Sequence, residues 1–124
     1  MTDPNFILLY VDSPAVSASF YSRILGRAPI ESSPTFAMFA LESGVMLGLW
    51  SRDTVEPSAP EAHGVGGELA IAVANDQAVA ETHRAWDDQG VTILQAPVHL
   101  DFGFSFLAAD PNGHRLRVFA PRAS

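Results

Sequence analysis

The chain has 124 residues, of which 48% are hydrophobic and 17% are charged, which suits one packed globular domain with no room for a second. The formal net charge of -7 makes nucleic acid and membrane surfaces poor partners, because their phosphate groups would be repelled. The absence of cysteine excludes disulfides, and with neither a leader sequence nor an apolar run of about 18 residues we expect a cytoplasmic protein.

The first predicted elements are a strand and the helix that follows it. Residues 6–11 form a short apolar run with β-branched and aromatic side chains, which predicts a strand. The Asp-Ser-Pro segment at 12–14 predicts the start of a helix that runs to about Leu25, and Gly26 is expected as its C-cap. The apolar residues whose four-residue spacing places them on one face of this helix are Val16, Phe20 and Ile24.

Three strands are predicted to follow the first helix. Residues 35–41 and 45–50 flank the turn Glu42-Ser43-Gly44, and this pattern predicts a β-hairpin. A further strand is expected near Pro29, ahead of the hairpin. The first half of the chain is therefore predicted to fold as βαβββ.

The same order of elements starts again after a polar, proline-rich segment. Residues 69–73 predict a strand, and Asn75 or Asp76 is expected to cap a helix that Gly90 closes. One side of that helix is predicted to carry Val79, His83 and Trp86. Three further strands are predicted at residues 91–94, 102–108 and 115–119.

An internal repeat of this kind predicts one α+β domain built from two βαβββ modules in tandem, each a curved mixed sheet with a helix on its convex face. The turn at 110–113 in the second half corresponds to the turn at 42–44 in the first, since both carry an acidic residue and a glycine. We place the first module at about 4–55, the linker at about 56–66 and the second module at about 67–121.

Two motifs resemble those of the vicinal oxygen chelate superfamily, which includes glyoxalase I, extradiol dioxygenases and the fosfomycin and bleomycin resistance proteins. Residues 20–26 read Phe-Tyr-Ser-Arg-Ile-Leu-Gly and are similar to the family's F-Y-x-x-x-L-G, and residues 110–114 read Asp-Pro-Asn-Gly-His and are similar to D-P-D/N-G-H/N. The resemblance covers almost the whole chain. It implies that the sheets of paired modules form a cup and that the protein is a homodimer with sites at the interface.

The resemblance also implies four metal-ligand positions at the centre of the cup, which fall here on Phe6, Gly48, Glu68 and Arg117. Phenylalanine and glycine side chains offer no electron pair, and arginine carries a fixed positive charge where a cation would sit. We therefore expect neither a metal nor another cofactor. Glu68 and Arg117 are instead expected to form an ion pair or to contact polar groups of a ligand, and Arg117 would suit a carboxylate.

Strand alternation predicts which side chains line the cup together with these four positions. The residues two positions away on the same strands are Leu8, Tyr10, Met46, Trp50, Ala70, Ala72, Arg115 and Phe119. Symmetric pairing of the hairpins adds Phe39, Phe104 and Phe106, although a shift of one residue in register would reverse their direction. We expect the ligand to contact Phe6, Tyr10, Phe39, Met46, Gly48, Trp50, Glu68, Phe104 and Arg117.

A cup rich in aromatic rings suits a flat, apolar guest. Within the superfamily, residues 45–51 and 102–107 are similar to segments of the phenazine-antibiotic resistance proteins, and this likeness places Trp50 at the position of a ring-stacking tryptophan. The resemblance implies a metal-free binding protein, without catalytic residues, that sequesters a planar aromatic antibiotic or metabolite and so confers resistance.

Two enzymatic alternatives remain open at this point. One is a metal-dependent lyase, isomerase or dioxygenase of the same superfamily that uses Glu68, His99 and Asp101 as unconventional ligands. The other is a metal-free enzyme in which the same residues perform acid/base catalysis. His99 and Asp101 are otherwise candidates for polar contacts to the ligand, whereas His63, His83 and His114 are expected to be structural or solvated.

Overall fold

In the computed structural model, residues 5–56 and 67–122 are described, and the chain divides into two compact units between residues 62 and 63. We call these units module one and module two. Most of the predicted linker, with His63, lies outside the described residues. Neither helix in the described part of the chain has the length and hydropathy of a membrane span.

Module one has the predicted βαβββ order. Its elements are β1 (Phe6–Val11), α1 (Pro14–Leu25), β2 (Glu31–Ser32), β3 (Phe36–Ala40) and β4 (Met46–Ser51). They form a four-stranded sheet in the order β1-β4-β3-β2, in which β1 runs parallel to β4 and the remaining pairs are antiparallel.

Module two repeats this arrangement. Its elements are β5 (Glu68–Ala72), α2 (Asp76–Asp88), β6 (Thr92–Leu100), β7 (Gly103–Ala109) and β8 (Arg115–Pro121). The sheet order is β5-β8-β7-β6, again with one parallel pair, β5 with β8. The predicted fold, two tandem βαβββ modules of an α+β protein, is therefore confirmed. The strand predicted at 91–94 was too short, since β6 continues to Leu100 and includes His99.

The ends of α1 follow its sequence signals, and its buried residues include one of the three apolar residues predicted to share a face. The Ser13 hydroxyl accepts a hydrogen bond from the Val16 amide at 3.2 Å, and the amide of the predicted C-cap, Gly26, donates to the Ser22 carbonyl. The buried residues of the helix are Pro14, Ser17, Ala18, Phe20 and Tyr21. Of the three apolar residues predicted to share one face, Phe20 is buried, whereas Val16 is 57% exposed.

Helix α2 packs on its sheet through the side predicted for it. Asn75 caps the helix through its side chain, which accepts a hydrogen bond from the Ala78 amide at 2.9 Å. Val79 and Trp86 are buried, and the Trp86 ring meets the edge of Phe106 with 5.4 Å between ring centroids. These contacts bury one face of the module-two sheet beneath its helix.

Candidate functional site

Each sheet has one face covered by the helix of its own module, and we call the opposite face the open face. In module one, Phe39, Leu47 and Leu49 are buried on the face that α1 covers. Side chains alternate along each strand, so the residues between them lie on the open face. The open-face residues of the three longer strands are Phe6, Leu8, Tyr10, Phe36, Met38, Ala40, Met46, Gly48 and Trp50. Five predicted ligand contacts thus lie on one face: Phe6, Tyr10, Met46, Gly48 and Trp50.

Phe39 lies on the opposite face from these residues, so its predicted place in the lining was wrong. It pairs with Leu47 and is fully buried beneath α1, whereas Phe36 pairs with Trp50 on the open face. The cause is the hairpin loop, in which Leu41 and Val45 are joined by a backbone hydrogen bond and Gly44 adopts a positive φ of 93°. A three-residue loop pairs odd-numbered with odd-numbered residues, which sends Phe39 to the helix side.

An apolar cluster formed by Phe6, Leu8, Phe36 and Trp50 lines a depression of about 400 Å³ on the open face of module one. Phe6 is 49% exposed and Leu8 is 44% exposed, so large apolar surface is presented to solvent within this module. The Trp50 ring meets the edge of Tyr10, with 6.4 Å between centroids and 80° between planes. Phe36 was not among the predicted lining residues. The three-residue length of the loop between β3 and β4 is the sequence signal that places Phe36 on the open face.

Gly48 makes room for this cluster. A Cβ atom on Gly48 would lie 2.5 Å from Leu8 Cδ2 and 3.0 Å from Phe36 Cζ. Leu8 and Phe36 therefore fill the space above the glycine, which we expected a ligand to use. The small residue shapes the cluster and does not itself offer a contact surface.

The open face of module two has a different chemistry, centred on Arg117. Its Nε donates to Glu68 Oε1 at 2.5 Å, its Nη2 to Glu68 Oε2 at 3.3 Å and its Nη1 to Ser105 Oγ at 2.9 Å. Ser105 is fully buried, and the guanidinium carbon lies 5.6 Å from the centroid of the Phe102 ring. The predicted pairing of Glu68 with Arg117 is present, and Ser105 is a third member that the sequence analysis missed.

Phe104 and Phe106 lie on the helix side of the module-two sheet, so their predicted place in the lining was also wrong. Phe106 pairs with Val118 beneath α2, and Phe104 pairs with Ala120 on the same side. The turn before β8 again leaves three residues between two residues joined by a hydrogen bond, Asp110 and His114. The same pairing rule therefore applies in both modules.

Glu68, His99 and Asp101, the residues considered for an enzymatic site, do not lie together within module two. His99 pairs with Phe104, and their rings are 4.5 Å apart on the helix side, whereas Glu68 lies on the open face of the strand at the opposite edge. Asp101 is exposed in the turn between β6 and β7. His83 packs on Phe106, and His114 lies 2.8 Å from the Asp110 carboxylate, so both have structural contacts.

The metal positions implied by the resemblance do not fit a divalent ion. Both oxygens of Glu68 are held by Arg117, and the Gly48 position is covered by hydrocarbon. Within the described residues, no three His, Asp or Glu side chains form a group that could hold a metal ion. A lone carboxylate already paired with a guanidinium falls far short of the ligand sets that bind zinc or other divalent ions.

Comparison with known proteins identifies a matching family model and a similar antibiotic resistance protein. The model of the Glyoxalase/Bleomycin resistance protein/Dioxygenase superfamily matches residues 4–118. The phenazine antibiotic resistance protein EhpR of Enterobacter agglomerans is 28% identical over 118 residues, which cover 93% of this chain and 89% of that protein.

Two solved structures resemble the protein along nearly its whole length. The solution NMR structure of protein ATC0852 from Agrobacterium tumefaciens is 54% identical, with a TM-score of 0.90 and coverage of 99% of this chain and 100% of that one. The crystal structure of a glyoxalase-related enzyme from Fulvimarina pelagi is 22% identical, with a TM-score of 0.85 and coverage of 97% and 88%. At that identity the second likeness shows a shared fold alone.

Proposed function

The chain belongs to the glyoxalase/bleomycin resistance protein/dioxygenase superfamily. From this premise we propose that it sequesters a planar aromatic antibiotic or metabolite of the phenazine type. In this proposal it binds the compound without a metal ion and thereby confers resistance. The observation that carries the proposal is the apolar cluster of module one. It presents Trp50 beside an open depression lined by hydrocarbon.

Stacking on Trp50 supplies the main attraction in this proposal. Aromatic pairs in offset or edge-on contact gain roughly 0.5–1.5 kcal/mol beyond the burial of their area. The edge contact with Tyr10 limits the rotation of the indole, so less side-chain entropy is lost when a flat guest binds. Phe6 and Leu8 add exposed apolar area that a guest would remove from water.

The likeness to a phenazine antibiotic resistance protein over 93% of the chain supports the ligand class. The misfit of the residues at the four metal positions supports binding without a metal ion. A direct check is the metal content of protein purified without chelator, together with phenazine affinity before and after EDTA treatment. We expect no stoichiometric metal and no change in affinity.

Fluorescence provides the test of stacking, because the chain has only two tryptophans, Trp50 and Trp86. In the Trp86→Phe variant, Trp50 is the sole reporter, and we expect phenazine to quench its emission at saturating concentration. In the Trp50→Phe variant, the buried Trp86 reports alone, and a much smaller change is expected.

Calorimetry then measures what the indole contributes to affinity. We expect Trp50→Ala to weaken phenazine binding about tenfold, which corresponds to about 1.4 kcal/mol. Val16→Ala serves as the control, because it also removes an exposed apolar side chain but from helix α1. Equal affinities of Trp50→Ala and the unmodified protein would contradict the proposal.

A homodimer and a cytoplasmic location complete the proposal. Homodimers with two-fold symmetry are the commonest oligomers, and the family resemblance implies sites at the dimer interface. Light scattering coupled to gel filtration would measure the mass in solution, with twice the chain mass of 13.3 kDa as the expected result.

A further inference from the structure

The guanidinium of Arg117 is held in place but retains donors for a ligand. An arginine side chain has five N–H donors, and Arg117 uses three of them on Glu68 and Ser105. One hydrogen on Nη1 and one on Nη2 therefore have no acceptor among the described residues. The Arg117 side chain is 15% exposed, so part of it is accessible from solvent.

The charge around Arg117 favours an anion. Glu68 neutralises one guanidinium, but Arg115 lies directly opposite Glu68 in the register of β5 and β8 and forms no ion pair with any described residue. The other open-face positions of β5, β7 and β8 are uncharged: Ala70, Ala72, Gly103, Ser105, Leu107, Ala109, Phe119 and Pro121. The open-face positions of these three strands thus carry two arginines and one glutamate, on a chain whose formal net charge is -7.

An aromatic surface adjoins this positive charge. The Phe102 ring is 45% exposed and lies beneath the Arg117 guanidinium. Phe119 supports it from the side, with 5.7 Å between the ring centroids. A ligand that carries a carboxylate on an aromatic ring matches both features, since its ring can contact Phe102 while its oxygens accept the two remaining hydrogen bonds.

We propose that the open face of module two recognises an aromatic carboxylate, with Arg117 as the hydrogen-bond donor, Arg115 as the uncompensated charge and Glu68 and Ser105 as positioning residues. This inference rests on the proposed function. It concerns the open face of module two alone and names aromatic compounds with a carboxylate as the ligand class of that face. Hydrogen bonds between a guanidinium and a carboxylate are about twice as strong as neutral ones, so the ionised group is preferred.

The test compares three probes of nearly equal shape by calorimetry at pH 7: phenazine-1-carboxylate, phenazine-1-carboxamide and phenazine. We expect the carboxylate to bind about tenfold more tightly than the carboxamide, and the preference to shrink as salt is raised. Arg115→Gln keeps the Glu68–Arg117 pair intact and is expected to reduce the preference. The paired variant Glu68→Gln with Arg117→Gln, which leaves no unpaired charge behind, is expected to abolish it.

Arg84→Gln is the matched control, because it removes an exposed arginine from helix α2. It is expected to leave the preference unchanged. Equal affinity for carboxylate and carboxamide in the unmodified protein would overturn the inference, as would a preference that survives in both test variants. If phenazine and the carboxamide still bind and require Trp50, the proposed function stands and only the carboxylate assignment fails. If none of the three probes binds, both fail.

Discussion

The open faces of the two modules share one backbone arrangement and differ completely in chemistry. Phe6 pairs with Met46 in module one as Glu68 pairs with Arg115 in module two, so the two registers are equivalent. Module one uses this surface for an apolar cluster, whereas module two uses it for a hydrogen-bonded ion pair. Both modules bury apolar residues beneath the helix, such as Phe39 and Phe106, and the modules differ on their open faces.

The divergence includes a reciprocal exchange of large and small side chains. In module one, Leu8 and Phe36 cover the position of Gly48, which has no side chain. The corresponding positions in module two carry Ala70, Ser105 and Arg117, so small neighbours there accommodate one long side chain. Close packing makes such changes interdependent, because the space above each strand position is filled either by its own side chain or by those of its neighbours. Each open face therefore behaves as a set of coupled residues.

The largest expected effect separates the two faces of module one. Phe39→Ala should lower the free energy of unfolding by about 3–5 kcal/mol, because the ring is fully buried beneath α1 and its loss leaves a cavity. Phe36→Ala, on the open face, should cost about 1–2 kcal/mol because the ring is already partly exposed. Urea denaturation of both variants provides the measurement. Similar losses in the two variants would contradict the assignment of Phe39 to the covered face.

This pair of phenylalanines also marks the limit of what the sequence predicts. The order of elements, the start of α1 at residues 12–14 and its C-cap Gly26 depend on local signals and were predicted correctly. Asn75, one of the two predicted candidates, caps α2. The face of a hairpin residue depends instead on whether its loop has an odd or even number of residues. Adding or removing two loop residues preserves the face, whereas adding or removing one reverses it. The three-residue turn predicted at 42–44 pairs Phe39 with Leu47, so the error lay in applying the pairing rule and not in the length of that turn.

Two other features of the structure, the buried residues of α1 and the full length of β6, did not follow from the sequence pattern. The spacing of Val16, Phe20 and Ile24 suggested a helix face, but the buried row includes Ser17, whose small side chain fits against the sheet. The end of β6 was missed because Pro97 interrupts the strand pattern. Since β6 is the edge of its sheet and contains register shifts, a residue without an amide hydrogen is tolerated there.

A smaller loss of stability is expected when a strand glycine is replaced by alanine, at Gly48 in module one or at Gly103 in module two. Gly103 has a φ of 148°, and a Cβ atom there would meet the backbone carbonyl of Ala120, which cannot move independently. Gly103→Ala should therefore lower the free energy of unfolding by about 1–3 kcal/mol. Gly48→Ala should cost less than about 1 kcal/mol, because Leu8, whose terminal carbon it would meet, is exposed and can rotate away.

Combining Gly48→Ala with Leu8→Ala tests whether the cluster acts as one set of coupled residues. The second change removes the carbon that the new Cβ would meet, so the two effects on phenazine affinity should not add. A double-mutant cycle by calorimetry gives the coupling directly. Strictly additive effects would show that Gly48 and Leu8 contribute independently.

An effect of similar small size is expected for Ser105, the only described hydrogen-bond acceptor of Arg117 Nη1. Ser105→Ala should lower the free energy of unfolding by about 1 kcal/mol, a typical value for one lost hydrogen bond. Ser19→Ala, at an exposed position of α1, is the control for the same chemical change. If Ser105 positions the guanidinium, Ser105→Ala should also reduce the preference for phenazine-1-carboxylate over the carboxamide while phenazine affinity is unchanged. A stability loss without a change in preference would limit Ser105 to a structural role, and the contrast between the open faces would then rest on Glu68 and Arg117.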